Sequence, residues 1–381
     1  MIRVPSKQPD LKLSVFAVMS QMAREYGAIN LSQGFPDFDV PDTLVELVHH
    51  FMKEGHNQYA PMPGVEPLRE AISEKTAALY DHVYDPEEEV TVTAGATEAL
   101  FSAITAVVHP GDEVILFEPW YDAYVPAVEY NRGVPRFVQL VYPDYHIDWE
   151  KVQEAVTPKT KAIIINSPHN PTGAVLSQND LHHLAAIVRD TDIVLISDEV
   201  YEHIVFDGLR HFSLSSFPEL AARSFVISSF GKTYHATGWK VGYCMAPSGL
   251  MKEFRKVHQF ITYAVNTPVQ YAYARFMREK DVYLDLAGFY EQKRNFFRER
   301  LKASRFRLLP CSGTYFQLAD YSEISDQDDM AFIKRLAAEI KVAAIPTSPF
   351  YRKNPERRVI RFCFAKKEET IDKAAERLCR I

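Results

Sequence analysis

The chain has 381 residues, of which 43 are basic and 50 acidic, so its formal net charge is −7. Charges of one sign form no blocks along it, which argues against a partner such as nucleic acid or an anionic membrane. Its four cysteines are scattered, with neither a Cys-x-x-Cys pair nor a Cys/His ligand spacing. They therefore predict no disulfide framework and no metal site, and they indicate a reducing, cytoplasmic setting.

The N-terminal region predicts irregular structure. Its first forty or so residues show no clear periodicity, and the stretch LSQGFPDFDVPD has the Gly, Pro and Asp content of a loop. The sequence carries no cleavage pattern of a signal peptide and no apolar run that approaches the length of a membrane span. We therefore expect no membrane association.

Residues 63–246 alternate short β-branched runs with amphipathic helical stretches. The runs are EVTVTAG, EVILFEP, KAIIINSP, TDIVLISDE and SFVISSF, and helical patterns follow the first three of them. Alternation of this kind is typical of βαβ units, in which crossover helices cover both faces of a parallel sheet. The region therefore predicts an α/β fold with a mostly parallel central sheet.

The last third of the chain predicts a smaller α+β domain. A long charged helical pattern, YEQKRNFFRERLKAS, precedes the strand patterns TYFQLAD and RVIRFCFA, which flank the helical pattern DMAFIKRLAAEI. We place the boundaries at 1–45 for an N-terminal segment that joins the small domain, 46–278 for the large domain and 279–381 for the small domain.

Polar residues follow several of the predicted strands. In an open parallel sheet, ligands bind outside the carboxyl ends of the strands, so these residues are candidates for one site. The candidates are Thr97, which follows Ala96 at a helix start, Asn170 in SPHNPTG, Asp198 with Tyr201 three residues later, and Lys232 after SFVISSFG.

Each residue alone has an ordinary structural explanation. A single lysine is most often solvated, an aspartate after a strand often caps a helix, and HNPTG is a plausible turn. Together they meet the needs of pyridoxal 5′-phosphate (PLP), which requires a neutral amine for a Schiff base, a carboxylate for its pyridine nitrogen and hydrogen-bond donors for its phosphate. Burial and a nearby cation would lower the pKa of the Lys232 amine toward reactivity.

Seven motifs resemble those of the fold-type-I, class I and II aminotransferases. They are SQGFPDF, NQYAPMPG, GATEAL, SPHNPTG, SDEVY, SSFGKTYHATGWKVGY and RFCFAK, and the resemblance runs over nearly the whole chain. The wording of GFPDF, GKTYHATGWKVGY and RFCFAK is most similar to the kynurenine aminotransferase (glutamine transaminase K) branch and to its bacterial methionine aminotransferase relatives.

The resemblance implies roles around the cofactor ring. Lys232 would form the Schiff base and later shuttle a proton at the substrate Cα. Asp198 would pair with the pyridine nitrogen, Asn170 and Tyr201 would hydrogen-bond the phenolic oxygen, and Tyr121 would stack on the ring face.

The resemblance also implies a phosphate cup and a second subunit. The cup would comprise the backbone of Ala96 and Thr97, the Ser229 hydroxyl and Lys240, which stands where many relatives have arginine. Tyr59 would reach the phosphate of the neighbouring subunit, which implies a homodimer with shared active sites.

For the substrate, the resemblance implies that Arg361 clamps the α-carboxylate, with Gly34 and Asn170 completing that pocket. The aromatic side chains that would line the pocket for the substrate side chain are Phe16, Phe35 and, from the partner subunit, Tyr263. Kynurenine aminotransferases typically have an aromatic residue followed by histidine at this last position, whereas this chain has Tyr263-Ala264. Kynurenine is therefore not the expected main substrate.

These features predict a PLP-dependent aminotransferase that acts by a ping-pong cycle on methionine, aromatic or glutamine-type amino acids, with 2-oxo acids as partners. A PLP-dependent C–S β-lyase shares all the cofactor residues and stays an alternative. Ser229 and Lys232 also fit the Ser-x-x-Lys pattern of acyl hydrolases, but the companion Lys-Thr-Gly is absent because Tyr234 follows Thr233. A non-catalytic binding module on the same fold is a further alternative.

Overall fold

A computed structural model describes residues 2, 4–9, 11 and 13–381 of the chain. Its strands are β1 Ile29–Asn30, β2 Val90–Thr93, β3 Glu113–Glu118, β4 Val134–Gln139, β5 Thr160–Asn166, β6 Val194–Asp198, β7 Ser224–Ser229, β8 Gly242–Met245, β9 Arg307–Leu308, β10 Phe316–Asp320, β11 Val342–Ala343, β12 Ile345–Pro346 and β13 Val359–Cys363.

Helices make up most of the remaining regular structure. They are α1 Val15–Tyr26, α2 Asp42–Lys53, α3 Glu66–Tyr80, α4 Ala96–Val107, α5 Tyr124–Tyr130, α6 Trp149–Ala155, α7 Gln178–Val188, α8 Pro218–Ala221, α9 Phe230–Thr233, α10 Ser248–Ile261, α11 Thr267–Phe276, α12 Asp281–Leu284, α13 Leu286–Arg300, α14 Asp329–Arg335 and α15 Glu368–Leu378. Within the described ranges, none of them is both long and apolar enough to cross a membrane.

The central sheet has seven strands in the order β2-β8-β7-β6-β5-β3-β4. All neighbours run parallel except β8, which is antiparallel to both β2 and β7. Apolar side chains from both faces of the sheet pack into separate helix-covered cores. The predicted mostly parallel α/β sheet is therefore confirmed, with mixed strand directions at the β2-β8 end.

Two strands of this sheet were not predicted. β4 lies at the edge of the sheet, contains a proline and has alternately exposed residues, so it lacks the continuous apolar run of a central strand. β8 is only four residues long and follows the Lys232 motif without a turn signal of its own. Both are defined by their pairing with neighbours, which is a tertiary property.

A smaller antiparallel sheet has the order β12-β13-β10-β9, and β1 pairs in parallel with β11. The N-terminal strand β1 therefore lies beside a strand of the C-terminal third. The assignment of both to a small domain stays a prediction. The boundaries after residues 45 and 278 stay predictions.

The prediction of irregular structure for the first forty residues was wrong for helix α1. The helix is capped by Ser14, whose side chain accepts a hydrogen bond from the Phe16 amide. Its buried residues Val15, Met19 and Ala23 recur every fourth position, and Val15 and Met19 pack into the core of the C-terminal elements. The sequence contains this periodicity, which the prediction of irregular structure did not take into account.

The parallel strands end together and position the candidate site. Asn166, the last residue of β5, is the register partner of Asp198, the last residue of β6. β7 lies on the other side of β6 and ends at Ser229, directly before the short helix α9 that contains Lys232. Side chains from distant parts of the sequence therefore meet at one edge of the sheet.

A buried ion pair supports the turn that follows β6. The Lys75 ammonium, on α3, lies 2.6 Å from the Glu202 carboxylate, which also accepts hydrogen bonds from the Tyr80 and Ser228 hydroxyls at 2.6 and 2.7 Å. Burial acts to raise the pKa of Glu202, but Lys75 and the other neighbours outweigh it and lower that pKa. Glu202 directly follows Tyr201, so this network fixes the backbone that presents the Tyr201 side chain.

We expect the Lys75→Met substitution to lower the free energy of unfolding by about 3 kcal/mol, because it leaves the Glu202 carboxylate buried without its cation. Urea denaturation would measure this loss. The matched control is Lys151→Met, whose side chain is 59% exposed in its pair with Asp148, and which should change stability by less than about 0.5 kcal/mol. Equal effects of the two substitutions would contradict a structural role for the buried pair.

Candidate active site

A cavity of about 270 Å³ opens at this edge of the sheet. The predicted site residues that line it are Phe16, Gly34, Phe35, Ala96, Thr97, Tyr121, Asn170, Asp198, Tyr201, Ser229, Lys232, Lys240 and Arg361. Two predicted residues lie outside it: Tyr59 is 87% exposed and Tyr263 50% exposed, with ring centroids 5.9 Å apart. The fold thus brings together every predicted residue except the two that were expected to serve a neighbouring subunit.

Lys232 reaches the centre of the cavity from α9. Its Nζ donates hydrogen bonds to the Gly34 carbonyl at 3.1 Å and to the Tyr315 hydroxyl at 3.0 Å. Burial lowers the pKa of the Lys232 amine to about 8, and the cations of Arg361 and Lys240 act in the same direction. An appreciable fraction of the amine is therefore neutral near physiological pH, as a nucleophile or base requires.

Asp198 is a buried carboxylate at the end of β6. Its Oδ2 accepts a hydrogen bond from the Tyr124 hydroxyl at 2.6 Å, and its Oδ1 accepts one from the Val200 amide at 3.4 Å. Burial raises the pKa of Asp198 to about 6, although both hydrogen bonds act to lower it. The carboxylate is thus held in place to meet a cationic group that enters the cavity.

Tyr124 was not identified from the sequence. It is fully inside the protein on α5, three residues after the predicted ring-stacking residue Tyr121, and the two rings meet at 72° with centroids 5.5 Å apart. Their spacing of three residues could have predicted that both tyrosines lie on the same side of the chain. Nothing local to Tyr124 indicates its contact with Asp198, because the two residues are 74 positions apart.

The N-terminus of α4 forms a candidate anion site in the cavity. Ala96 and Thr97 carry the first amides of this 12-residue helix, and Ser229 lines the same cavity. The Lys240 ammonium lies 3.2 Å from where a Cβ on Gly95 would stand, and Gly95 has a left-handed φ of +79°. A helix N-terminus with an adjacent ammonium is suited to a phosphate dianion.

Arg361 also lines the cavity and is only 1% exposed. One guanidinium nitrogen donates to the Asn170 side-chain oxygen at 2.7 Å and another donates to the Ser32 carbonyl at 3.0 Å. Its Nε has no hydrogen-bond partner within the part of the chain that the structure describes. A buried guanidinium with remaining donor capacity is prepared to receive a carboxylate.

Aromatic rings hold this guanidinium in place. The guanidinium carbon of Arg361, Cζ, lies 3.8 Å from the ring centroid of Phe316 and 5.1 Å from that of Phe16. Phe316 was not predicted as a site residue, because the TYFQLAD run indicates only a strand. Together with Phe35, these rings contribute an aromatic part of the cavity lining.

Comparisons with known proteins agree with this arrangement. Residues 26–378 match the family model for aminotransferase class I and II. The chain is 50% identical to methionine aminotransferase of Escherichia coli, over 98% of this chain and 97% of that protein. The chain belongs to the class I and II aminotransferases.

Two further relatives refine its place among the class I and II aminotransferases. A kynurenine–oxoglutarate transaminase of Dictyostelium discoideum is 34% identical over 99% of this chain and 96% of its own length. A crystal structure of an Escherichia coli protein with methionine aminotransferase function superposes with a TM-score of 0.98 at 48% identity, and each chain is covered completely. The predicted family, its branch and the fold-type-I architecture are confirmed, and the protein is an aminotransferase.

We expect the Asp198→Asn substitution to stabilise the cofactor-free aminotransferase at about pH 8. The folded-state pKa of Asp198, about 6, lies above its ordinary value of 3.8, so burial of the charged carboxylate costs stability above pH 6 and costs nothing once both states are protonated below about pH 4. Asparagine avoids this cost and can still accept the Tyr124 hydrogen bond.

Urea denaturation should show a gain of about 1–3 kcal/mol at pH 8 that shrinks as the pH falls from about 6 to 4. The same variant should lose transamination. Asp148, a partly exposed N-cap residue, provides the control Asp148→Asn, which should show no such gain at pH 8. A gain for Asp198→Asn that stayed constant with pH would contradict the explanation.

Proposed function

We propose that this aminotransferase binds pyridoxal 5′-phosphate and transfers the amino group of methionine, aromatic or glutamine-type amino acids to a 2-oxo acid in a ping-pong cycle. The observation that carries the proposal is the set of groups that line one cavity. They are the start of α4 with Lys240, the Lys232 amine, the Asp198 carboxylate, and the Arg361 guanidinium beside aromatic rings.

The residues fit the proposed cofactor. The start of α4, Ser229 and Lys240 would hold its phosphate, while Asp198 would hold the protonated pyridine nitrogen. Tyr121 would pack on its ring, and Asn170 with Tyr201 would face its phenolic oxygen. When bound, PLP supplies a carbon that condenses with amines and a ring that takes up the electron pair left on the substrate Cα.

Lys232 would act twice in this cycle. Its amine would first hold the cofactor, and after displacement by the substrate it would move a proton at the substrate Cα. Its pKa of about 8 leaves part of the amine neutral at physiological pH, which both tasks require. Lys232 and Arg361 line the same cavity, so the amine would lie near a substrate held by its α-carboxylate.

The substrate end favours apolar side chains. Its aromatic residues are Phe16, Phe35 and Phe316. The cationic residues in the described lining are Lys232, Lys240 and Arg361, and each already has a proposed role in binding the cofactor or the α-carboxylate. A second carboxylate, as in aspartate, would therefore meet no free cation within the described part of the cavity. The methionine aminotransferase relative supports this choice, and Tyr263-Ala264 argues against kynurenine as the main substrate.

The single carboxylate clamp supports the ping-pong order. Amino acid and 2-oxo acid both carry an α-carboxylate, and both would bind through Arg361. They would therefore occupy the cavity in turn. The first product would leave before the second substrate binds.

We also propose a homodimer with shared active sites. Tyr59 and Tyr263 are exposed in the single chain, and Phe260 beside them is 87% exposed. Such a group of large apolar side chains is typical of a surface that another chain covers.

We further propose the domain boundaries at 45/46 and 278/279, which the pairing of β1 with β11 supports. We also propose a cytoplasmic setting, which the free thiols support.

The cofactor and substrate class are tested by the absorption spectrum of the purified protein. We expect a yellow band that methionine bleaches without any oxo acid, whereas aspartate leaves it largely unchanged, since only methionine fits the apolar end. Bleaching by aspartate alone would contradict the apolar pocket. Release of pyruvate and ammonia from a cysteine conjugate without an oxo acid would favour the β-lyase.

We expect the Lys232→Ala substitution to reduce transamination of methionine by at least about 100-fold, because it removes the amine that is proposed to hold the cofactor and move the proton. Lys161→Ala, on β5 and outside the cavity lining, is the matched control and should keep activity. Substantial transamination by Lys232→Ala would overturn the proposed function.

Shared sites are tested by mixing two impaired variants, Lys232→Ala and Tyr59→Ala, under conditions that exchange subunits. In a mixed dimer, one site combines an intact Lys232 with the Tyr59 of the Lys232→Ala subunit. Activity should recover to about a quarter of the wild-type value, as for random pairing in a C2 dimer. Absence of recovery, despite subunit exchange, would mean that Tyr59 serves its own subunit.

A further inference from the structure

Tyr315 makes a contact with Lys232 that none of the roles above explains. Its side chain is completely buried, and its hydroxyl lies 3.0 Å from the Lys232 Nζ and 2.6 Å from the Gly34 carbonyl oxygen. The same carbonyl lies 3.1 Å from Nζ. The lysine nitrogen, the phenol and the carbonyl therefore form a closed triangle.

The donors and acceptors in this triangle are determined by chemistry. A carbonyl oxygen only accepts, so the single proton of the Tyr315 hydroxyl is donated to Gly34. Tyr315 then has no proton for Nζ and can only accept from it. Both contacts of Nζ are therefore N–H donations, one to Tyr315 and one to Gly34.

A neutral amine has two N–H groups and one lone pair. Because Tyr315 and Gly34 engage both N–H groups, the lone pair has to point away from both of them. Lys232 lines the cavity, whereas Tyr315 is not among its lining residues. A phenol free to rotate could instead donate its proton to the lone pair and block it. The short bond from Tyr315 to Gly34 prevents this.

We propose that Tyr315 is a further catalytic residue, which together with the Gly34 carbonyl holds the N–H groups of the free Lys232 amine so that its lone pair faces the substrate. This inference rests on the proposed function of Lys232. In the proton transfer, the Cα–H bond breaks, a third N–H bond forms on Lys232, and the electron pair left on Cα passes to the cofactor ring. The new N–H occupies the direction of the former lone pair, so the proton is returned along the same line.

The packing around the triangle holds both acceptors still. The Tyr315 ring meets the Tyr201 ring at 88° and the Phe316 ring at 70°, with centroids 5.2 and 4.9 Å away. A Cβ on Gly34 would stand 2.7 Å from the Phe316 ring, so only glycine lets this backbone approach so closely. On the far side, Lys366 Nζ donates to the carbonyl of the next residue, Phe35, at 2.8 Å.

The first test measures the Lys232 amine directly in the enzyme loaded with pyridoxamine 5′-phosphate, where this amine is free. The extent to which limiting acetic anhydride acetylates Lys232 is measured by peptide mass spectrometry across the pH range. The pH of half-maximal acetylation is the acetylation midpoint. The titratable groups that face Nζ are Asp198, Tyr201, Lys240, Tyr315, Arg361 and Cys363.

Tyr315→Phe keeps the ring but removes an acceptor that favours the ammonium over the neutral amine. We expect its acetylation midpoint to fall by about one pH unit relative to wild type. The matched control is Tyr290→Phe, which removes an equally buried phenol whose hydroxyl contacts His235 at 3.1 Å instead of Lys232. Its midpoint should not move, and the affinity of all three proteins for pyridoxamine 5′-phosphate should agree within about threefold.

The second test follows the methionine half-reaction in single turnovers with Cα-protiated and Cα-deuterated substrate. In Tyr315→Phe the cleavage rate should fall about 10- to 100-fold, the deuterium isotope effect should rise, and the methionine concentration for half-saturation should stay within about threefold. Tyr290→Phe should match wild type. A purely structural role for Tyr315 would instead alter half-saturation and cofactor affinity without changing the isotope effect.

An unchanged midpoint together with an unchanged cleavage rate in folded Tyr315→Phe would overturn the inference. If that variant does not fold, 3-fluorotyrosine at position 315 keeps the ring and hydroxyl but weakens the acceptor oxygen, and it should shift the midpoint in the same direction by less. Failure of the wild type to bind pyridoxamine 5′-phosphate or to convert methionine would overturn the proposed function itself, a result distinct from a failure at Tyr315 alone.

Discussion

The parallel pairing of β5, β6 and β7 is the constraint on which the site depends. Backbone hydrogen bonds fix Asn166 opposite Asp198 at the ends of adjacent strands, and β7 then delivers Lys232 beside them. Because parallel strands point their carboxyl ends the same way, residues from separate βαβ units meet without any direct signal between them. The anion site at the start of α4 joins the same edge.

Burial of charge is the second theme of the molecule. Lys232, Asp198 and Arg361 are all withdrawn from water around one cavity, and the displaced pKa values of about 8 for Lys232 and about 6 for Asp198 record the free energy that this costs. The Lys75–Glu202 pair is also buried, but there the opposite charges lie 2.6 Å apart and compensate one another. A bound phosphate and a cationic ring would offset part of the cost at the site itself.

The cavity joins three separate parts of the chain. Arg361 of β13 donates to the Ser32 carbonyl, and Lys366 donates to the Phe35 carbonyl, so C-terminal residues hold the loop that carries Gly34. Through Gly34 and Tyr315, that loop also contacts the amine of Lys232 on the large sheet. Arg361 and Lys232 are therefore connected through hydrogen bonds to one glycine-containing loop.

The sequence by itself determined the α/β alternation, the strand ends that carry Asp198 and Lys232, and the family motifs, because each of these is written in a few consecutive residues. It also contains the periodicity of α1, although the prediction for this region was irregular structure. Only the tertiary structure decided that Tyr124 meets Asp198, that Tyr315 meets Lys232 and that Phe316 lies against Arg361. Such contacts join residues distant in sequence, and a buried tyrosine or phenylalanine looks the same in sequence whether it fills a core or contacts a reacting group. Tyr59 and Tyr263 mark the opposite case, since their predicted roles depend on a second chain.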